Sequence, residues 1–212
     1  EAAGFVLLTR GTDVRRVPYW FRVETPKLGT EPAKTLTHAG IYNGDTAGKP
    51  SRVSADRDPD NWPSPIDLGG PEQVFRFVLK QPVANFGAAV ISHAAGVDVE
   101  PRLVRDGDEN RLVGYTGLPV DLNPYSNFGR AEPVVGAVLP APGVYDIVFD
   151  TRTNARPGKF TFRFWIGDTT PPSVRLIAKS VARGKPARLA VTDAGSGVDP
   201  SSLVGRVDGH LA

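Results

Sequence analysis

The sequence predicts an all-β protein, an antiparallel β-sandwich flanked by partial β-modules. Two stretches alternate apolar and polar residues with the period of a half-buried strand. Phe75, Phe77 and Leu79 share one face of residues 74–79, and Phe160, Phe162, Phe164 and Ile166 share one face of residues 160–166. The 23 glycines and 20 prolines are scattered between short apolar runs, where they punctuate strands. No amphipathic run of helical period exceeds about three turns. A hydrophobic fraction of 40% is adequate for a core and argues against wholesale disorder. At 212 residues the chain has room for one large domain or two smaller ones.

Residues 1–25 read as a hairpin: a strand, a turn at Arg10-Gly11-Thr12-Asp13, and a second strand. In the second strand Val17, Tyr19, Phe21 and Val23 share a face, with Pro18, Trp20, Arg22 and Glu24 opposite. Pro18 cannot donate to a ladder, which places this strand at an edge or a bulge. A lone hairpin is marginal in water, so it is expected to pack on sequence upstream of Glu1. A chain that opens Glu1-Ala2-Ala3 with no methionine reads as an internal or processed fragment. A missing leader in such a fragment says nothing about export.

Residues 26–72 are rich in Pro, Gly, Asp and Thr, with prolines from Pro26 to Pro71 and a strand expected at 36–42. They read as a linker that wraps onto a sandwich placed at 73–167. Strands of that sandwich are expected at 73–79, 84–92, 97–105, 111–115, 134–139, 144–150 and 159–166. Its first and last strands are expected to pair and close it. Turn signals separate them, among them Asp106-Gly107-Asp108 and Pro140-Ala141-Pro142-Gly143. Asp168-Thr169-Thr170-Pro171-Pro172 then forms a stiff spacer, with strands after it at 173–178 and 187–192. Residues 168–212 fall well short of the roughly 100 that an immunoglobulin-like sandwich takes, so this module is expected to be truncated.

Three short stretches resemble known families. Residues 4–9, the glycine turn and Arg16-Val17-Pro18-Tyr19-Trp20 resemble the closing hairpin of the fibronectin-III-like domain in large secreted subtilisin-like serine proteases, the subtilases. In that family the domain comes after the catalytic domain and carries no catalytic residues. The match spans about twenty residues, of which the turn with Val-Pro-Tyr-Trp is the specific part. Pro142-Gly143-Val144-Tyr145-Asp146-Ile147 resembles a late strand in jelly-roll accessory domains appended to secreted peptidases. Asp168-Thr169-Thr170-Pro171-Pro172 resembles the start of bacterial immunoglobulin-like (Ig-like) repeats. Together they imply a jelly-roll or Ig-like sandwich in the non-catalytic C-terminal region of a secreted or cell-surface protease. The implied partners are its own catalytic domain, adjacent β-modules, and protein or polysaccharide surfaces.

The residues agree that this segment lacks a catalytic set. None of the subtilase motifs Asp-Ser/Thr-Gly, His-Gly-Thr-His and Gly-Thr-Ser-Met occurs, and His38 sits in Thr-His-Ala-Gly. Gly195-Ser196-Gly197 has the wrong spacing for a nucleophile elbow. His38, His93 and His210 are far apart in sequence. The absence of cysteine excludes a disulfide scaffold and thiolate metal sites. A net charge of +2 argues for no nucleic-acid partner, and Arg15, Arg16 and Arg22 read as snorkelling side chains of a strand. No run approaches the roughly 20 apolar residues of a membrane span.

Two constellations remain as candidates. Asp56, Asp58, Asp60 and Asp67 resemble an oxygen-ligand Ca²⁺ loop, since hard cations take several carboxylates on one turn. Asn61 in place of the turn glycine, the stiffening Pro59, and Asp67 where the EF-hand has Glu all depart from that form. A solvated acidic turn is the competing reading. Trp62, Trp165, Tyr115 and Tyr125 could stack on sugar rings if exposed, which would make this a carbohydrate-binding or adhesion module. Burial in the core is the competing reading there.

Overall fold

The computed structural model describes residues 2–21, 25–51, 69–115, 133–178, 180–182, 184–198, 204–207 and 209–211. Apart from a 3₁₀ turn at Leu28–Thr30, the regular structure among them is β-strand, and no helix is long and apolar enough to cross a membrane.

β1 (Ala2–Arg10) and β2 (Asp13–Phe21) form the expected hairpin, reversed at Gly11 with φ 60. Both strands of a two-stranded ribbon have an open edge, so Pro18 is accommodated opposite Phe5. Every residue of β2 is exposed, and on β1 Phe5, Val6, Leu7 and Leu8 are exposed too. The hairpin therefore presents apolar side chains to water on both faces.

The sandwich is built from β3 (Ala33–Thr35), β4 (Gly40–Asp45), β5 (Glu72–Leu79), β6 (Asn85–His93), β7 (Val99–Arg105), β8 (Asp108–Tyr115), β9 (Val134–Val138), β10 (Gly143–Thr151) and β11 (Lys159–Ile166). One sheet runs β3-β5-β10-β7-β8 and the other β4-β11-β6-β9. Apart from the parallel β3–β5 pair, neighbouring strands are antiparallel. The segment read as a linker thus contributes an edge strand to each sheet. Its strand, expected at 36–42, is replaced by β3 and β4, with buried Leu36 at the crossing between them.

The expected pairing of the first and last sandwich strands does not occur. β5 and β11 lie in opposite sheets and face each other through the core, with Phe75 and Phe162 ring centres 4.7 Å apart and Phe77 and Phe164 4.9 Å apart. Period-2 alternation states that each strand has one apolar face. It does not state whether two such faces lie side by side or opposite. The core is correspondingly aromatic, with Phe86, Tyr145, Phe149 and Phe160 completing the cluster.

The outer face of the five-stranded sheet is also covered. Leu28, brought there by the 3₁₀ turn, packs with Val74, Val104 and Val148. Burying such a leucine contributes about 1.5–3 kcal/mol. The turn is anchored by Glu109, whose carboxylate accepts the Lys27 N–H at 2.9 Å and the Leu28 N–H at 3.1 Å. Glu109 is positioned by the β7–β8 reversal, where Asp106 and Gly107 both take positive φ, as a two-residue Asp-Gly hairpin turn requires.

Ion pairs alternate with those valines on the same face. Arg76 Nε meets Asp146 Oδ1 at 2.7 Å, and Arg102 Nη2 meets Asp150 Oδ1 at 2.9 Å and Glu72 Oε2 at 3.9 Å. Glu72 and Asp150 are fully buried and face each other across β5 and β10. Burial pushes the Asp150 carboxyl well above the usual carboxylate range; Arg102 pulls it back down, and the neighbouring Glu72 pushes it up again.

Beyond β11 the chain turns at Gly167 into a junction fixed from both sides. The Asn85 side chain donates to the Asp168 carbonyl at 2.6 Å and accepts the Asp168 N–H at 3.0 Å. The Asp168 carboxylate accepts the N–H of Ser196 at 2.6 Å and of Thr170 at 3.1 Å. Ser196 lies in the loop after β13 (Leu189–Thr192), which pairs with β12 (Ser173–Leu176). Asp193 closes that loop by accepting the N–H groups of Gly195 and Gly197. The final strands, β14 (Arg206–Val207) and β15 (His210–Leu211), make a small hairpin.

The hydrogen bonds from Ser196 hold the Asp168 carboxyl below the usual range. A depressed folded-state pKa contributes stability above the unfolded value, about 3.9, and that stability is lost as pH falls through the folded value. Asp168→Asn is therefore expected to speed hydrogen exchange of the Ser196 amide by about tenfold at pH 7. Wild type should approach the variant below about pH 4. Equal protection of that amide in both proteins at neutral pH would refute the clamp.

Candidate functional site

Of the aromatic residues proposed as a sugar platform, Trp165 is 2% exposed. It stands on the face of β11 opposite the phenylalanines, with its indole over Gly87; a Cβ at position 87 would meet that ring and the Val135 carbonyl. It is a packing residue and offers no face to a sugar ring. Tyr115 ends β8, and its side chain lies outside the description, as do Trp62 and Tyr125. The calcium candidates Asp56, Asp58, Asp60 and Asp67 also lie outside the described residues. Among those that are described, no group of three acidic or histidine side chains could hold a metal ion.

Among the described residues, the bonds of His38 and His93 assemble no catalytic set. His38 Nδ1 pairs with the Thr37 hydroxyl at 2.9 Å, and His93 Nδ1 with the Ala94 carbonyl at 3.1 Å. Neither bond joins a serine hydroxyl or a carboxylate, as a nucleophile–base–carboxylate relay needs.

The feature with recognisable chemistry is an open groove of about 520 Å³ where β4, β11 and the end of β6 run side by side. Cross-strand register explains its lining. Thr161 lies opposite Asn43 on one neighbour and Ser92 on the other, and Lys159 lies opposite Asp45. Because Phe160 and Phe162 turn into the core, Lys159 and Thr161 turn outward. Lys34, from the edge of the other sheet, and His93 complete the rim.

The Thr161 hydroxyl donates to Asn43 Oδ1 at 3.0 Å, which leaves Asn43 Nδ2 as an outward donor. Among the described residues neither Lys34 nor Lys159 is in an ion pair. Asp45 is the only carboxylate in the lining, and one of its oxygens already accepts the Ala47 N–H at 3.0 Å. The groove is therefore rich in unspent donors and suits an acceptor, a carboxylate or a carbonyl. It holds no activated nucleophile. Sequence reading missed it, although alternation at 159–163 marks Lys159 and Thr161 as outward. Nothing in the sequence places Lys34 and Asn43 beside them, because that depends on which strands become edges.

No protein-family profile and no curated protein matches the chain. Among solved structures it is similar to the pre-peptidase C-terminal domain of a collagenase from Bacillus anthracis. That likeness has 15% sequence identity and a TM-score of 0.38, and covers 63% of this chain and 95% of that one. Both values are too low to carry a function across.

Proposed function

We propose that this chain is a non-catalytic accessory β-region of a secreted subtilisin-like serine protease. It spaces or stabilises the catalytic domain and presents a surface to other proteins. The observation that carries this is the hairpin. The residues with the subtilase resemblance stand as a two-stranded ribbon with apolar groups exposed on both faces, an arrangement that calls for a neighbouring module. In this reading residues 1–25 close a fibronectin-III-like domain, 26–72 wrap onto the sandwich at 73–167, and 168–212 begin an Ig-like module. The Asp168 junction suits a spacer, since it ties the last module to the sandwich by side-chain hydrogen bonds as well as by the chain itself. Burial of Trp165 counts against the carbohydrate-binding alternative.

The coding sequence upstream of Glu1 tests the reading. Subtilase motifs for Asp, His and Ser behind a signal peptide are the expected finding. A glycosidase there, or β-modules alone, would overturn it. The purified chain is also expected to leave denatured casein intact. Hydrolysis blocked by a serine-reactive inhibitor would refute the absence of a catalytic set.

A further inference from the structure

We propose that the open edge of β4 is a docking site for an extended, acidic segment of a partner protein, which adds a strand to the four-stranded sheet. The inference rests on the reading of this region as one that presents a surface to proteins, and not on which enzyme it is attached to.

The phase of β4 comes from its hydrogen bonds. Thr46 N donates to the Gly158 carbonyl at 3.1 Å, so 46, 44, 42 and 40 are the positions bonded to β11. Ile41, Asn43 and Asp45 then turn their backbone groups away from the sheet. The Asp45 N–H is taken by the Gln73 side chain at 2.7 Å. Among the described residues, those of Ile41 and Asn43 have no such partner and β4 has no strand neighbour besides β11. An unpaired edge of this kind is a template for strand addition.

Charge selects the occupant. Edge strands are protected from indiscriminate pairing by charged side chains, lysine especially. Here Lys34, at the edge of the other sheet with its ammonium 5.6 Å from the Phe75 ring centre, and Lys159, one strand in on β11, line the groove without ion-pair partners among the described residues, and Asn43 Nδ2 adds a neutral donor. A strand laid along Ile41 and Asn43 would carry alternate side chains into the groove. Asp or Glu at those positions would meet two ammonium groups against one carboxylate, Asp45, whereas Lys or Arg would meet a net positive lining. Ile41, 63% exposed, supplies an apolar contact beside the charged ones.

The test uses the whole chain and two labelled nonapeptides, one alternating threonine with glutamate and one alternating threonine with lysine. Fluorescence anisotropy is expected to show binding of the glutamate peptide, weakened by salt, with the lysine peptide at least about tenfold weaker. Lys34→Glu with Lys159→Glu should reverse that preference. Bound glutamate peptide should slow hydrogen exchange at the Ile41 and Asn43 amides. A glutamate peptide N-methylated at alternate residues, which keeps its charge and loses its ladder donors, should not bind. Equal binding of both charges, retained binding by the N-methylated peptide, or unchanged exchange at Ile41 and Asn43 would each overturn the proposal. None of these outcomes bears on what is encoded upstream of Glu1, so the two readings fail separately.

Discussion

Arg102→Leu is expected to destabilise the sandwich by about 3–5 kcal/mol at neutral pH, the cost of leaving buried carboxylates without their cation. Arg102 is the cation between Glu72 and Asp150, both fully buried on adjacent strands. The loss is expected to depend on pH in a definite direction. The Asp150 carboxyl is already raised in the folded protein by burial. A raised group contributes stability that is full below the unfolded value, about 3.9, and is lost as pH rises through the folded value. Removing Arg102 raises it further, so the variant should go on losing stability, relative to wild type, as pH rises from the acid range through neutrality. Adding Glu72→Gln and Asp150→Asn should restore much of the loss, because neither of the carboxylates that Arg102 faced is then charged. Urea denaturation across that range measures each step. The same destabilisation at both ends of it would mean that Arg102 acts by packing rather than by charge.

Phe162→Ala should cost a similar amount, about 3–5 kcal/mol, at any pH. Phe162 lies at the centre of the aromatic core, with ring centres 4.7 Å from Phe75, 4.5 Å from Phe149 and 5.7 Å from Tyr42. Those partners come from both sheets, so the cavity would open between the layers, where neither sheet can collapse into it without moving the other. Typical domains are stable by only about 5–15 kcal/mol, so the variant should unfold at markedly lower urea. Phe162→Leu, which keeps most of the volume, should lose less than half as much. Equal losses for the two would place the effect in the aromatic edge contacts rather than in filled volume.

The two variants probe what was legible in different ways. Phe162 was visible in the sequence as a core residue, since it sits in an unbroken alternation of phenylalanines. The Arg102 site was not. Glu72, Arg102 and Asp150 are charged residues in stretches that read as ordinary strands, and their burial depends on what lies over that face of the sheet, where Leu28 packs on the neighbouring valines. Trp165 was open in the same way: the sequence left it between an exposed platform and the core, and the structure encloses it, since alternation assigns a face without saying what covers it.

By itself the sequence determined that this protein is all-β, which residues face the core along each strongly alternating strand, and where several reversals fall. These are local properties: side-chain period, the missing donor of proline, and the φ freedom of Asp-Gly. Only the tertiary structure decided that β5 and β11 face rather than pair, and that residues 33–45 supply one edge strand to each sheet. It alone brought Lys34, Asn43 and Lys159 to one groove. Strand order is a non-local choice, made by how the aromatic faces interlock across the core, and no periodicity along the chain encodes it.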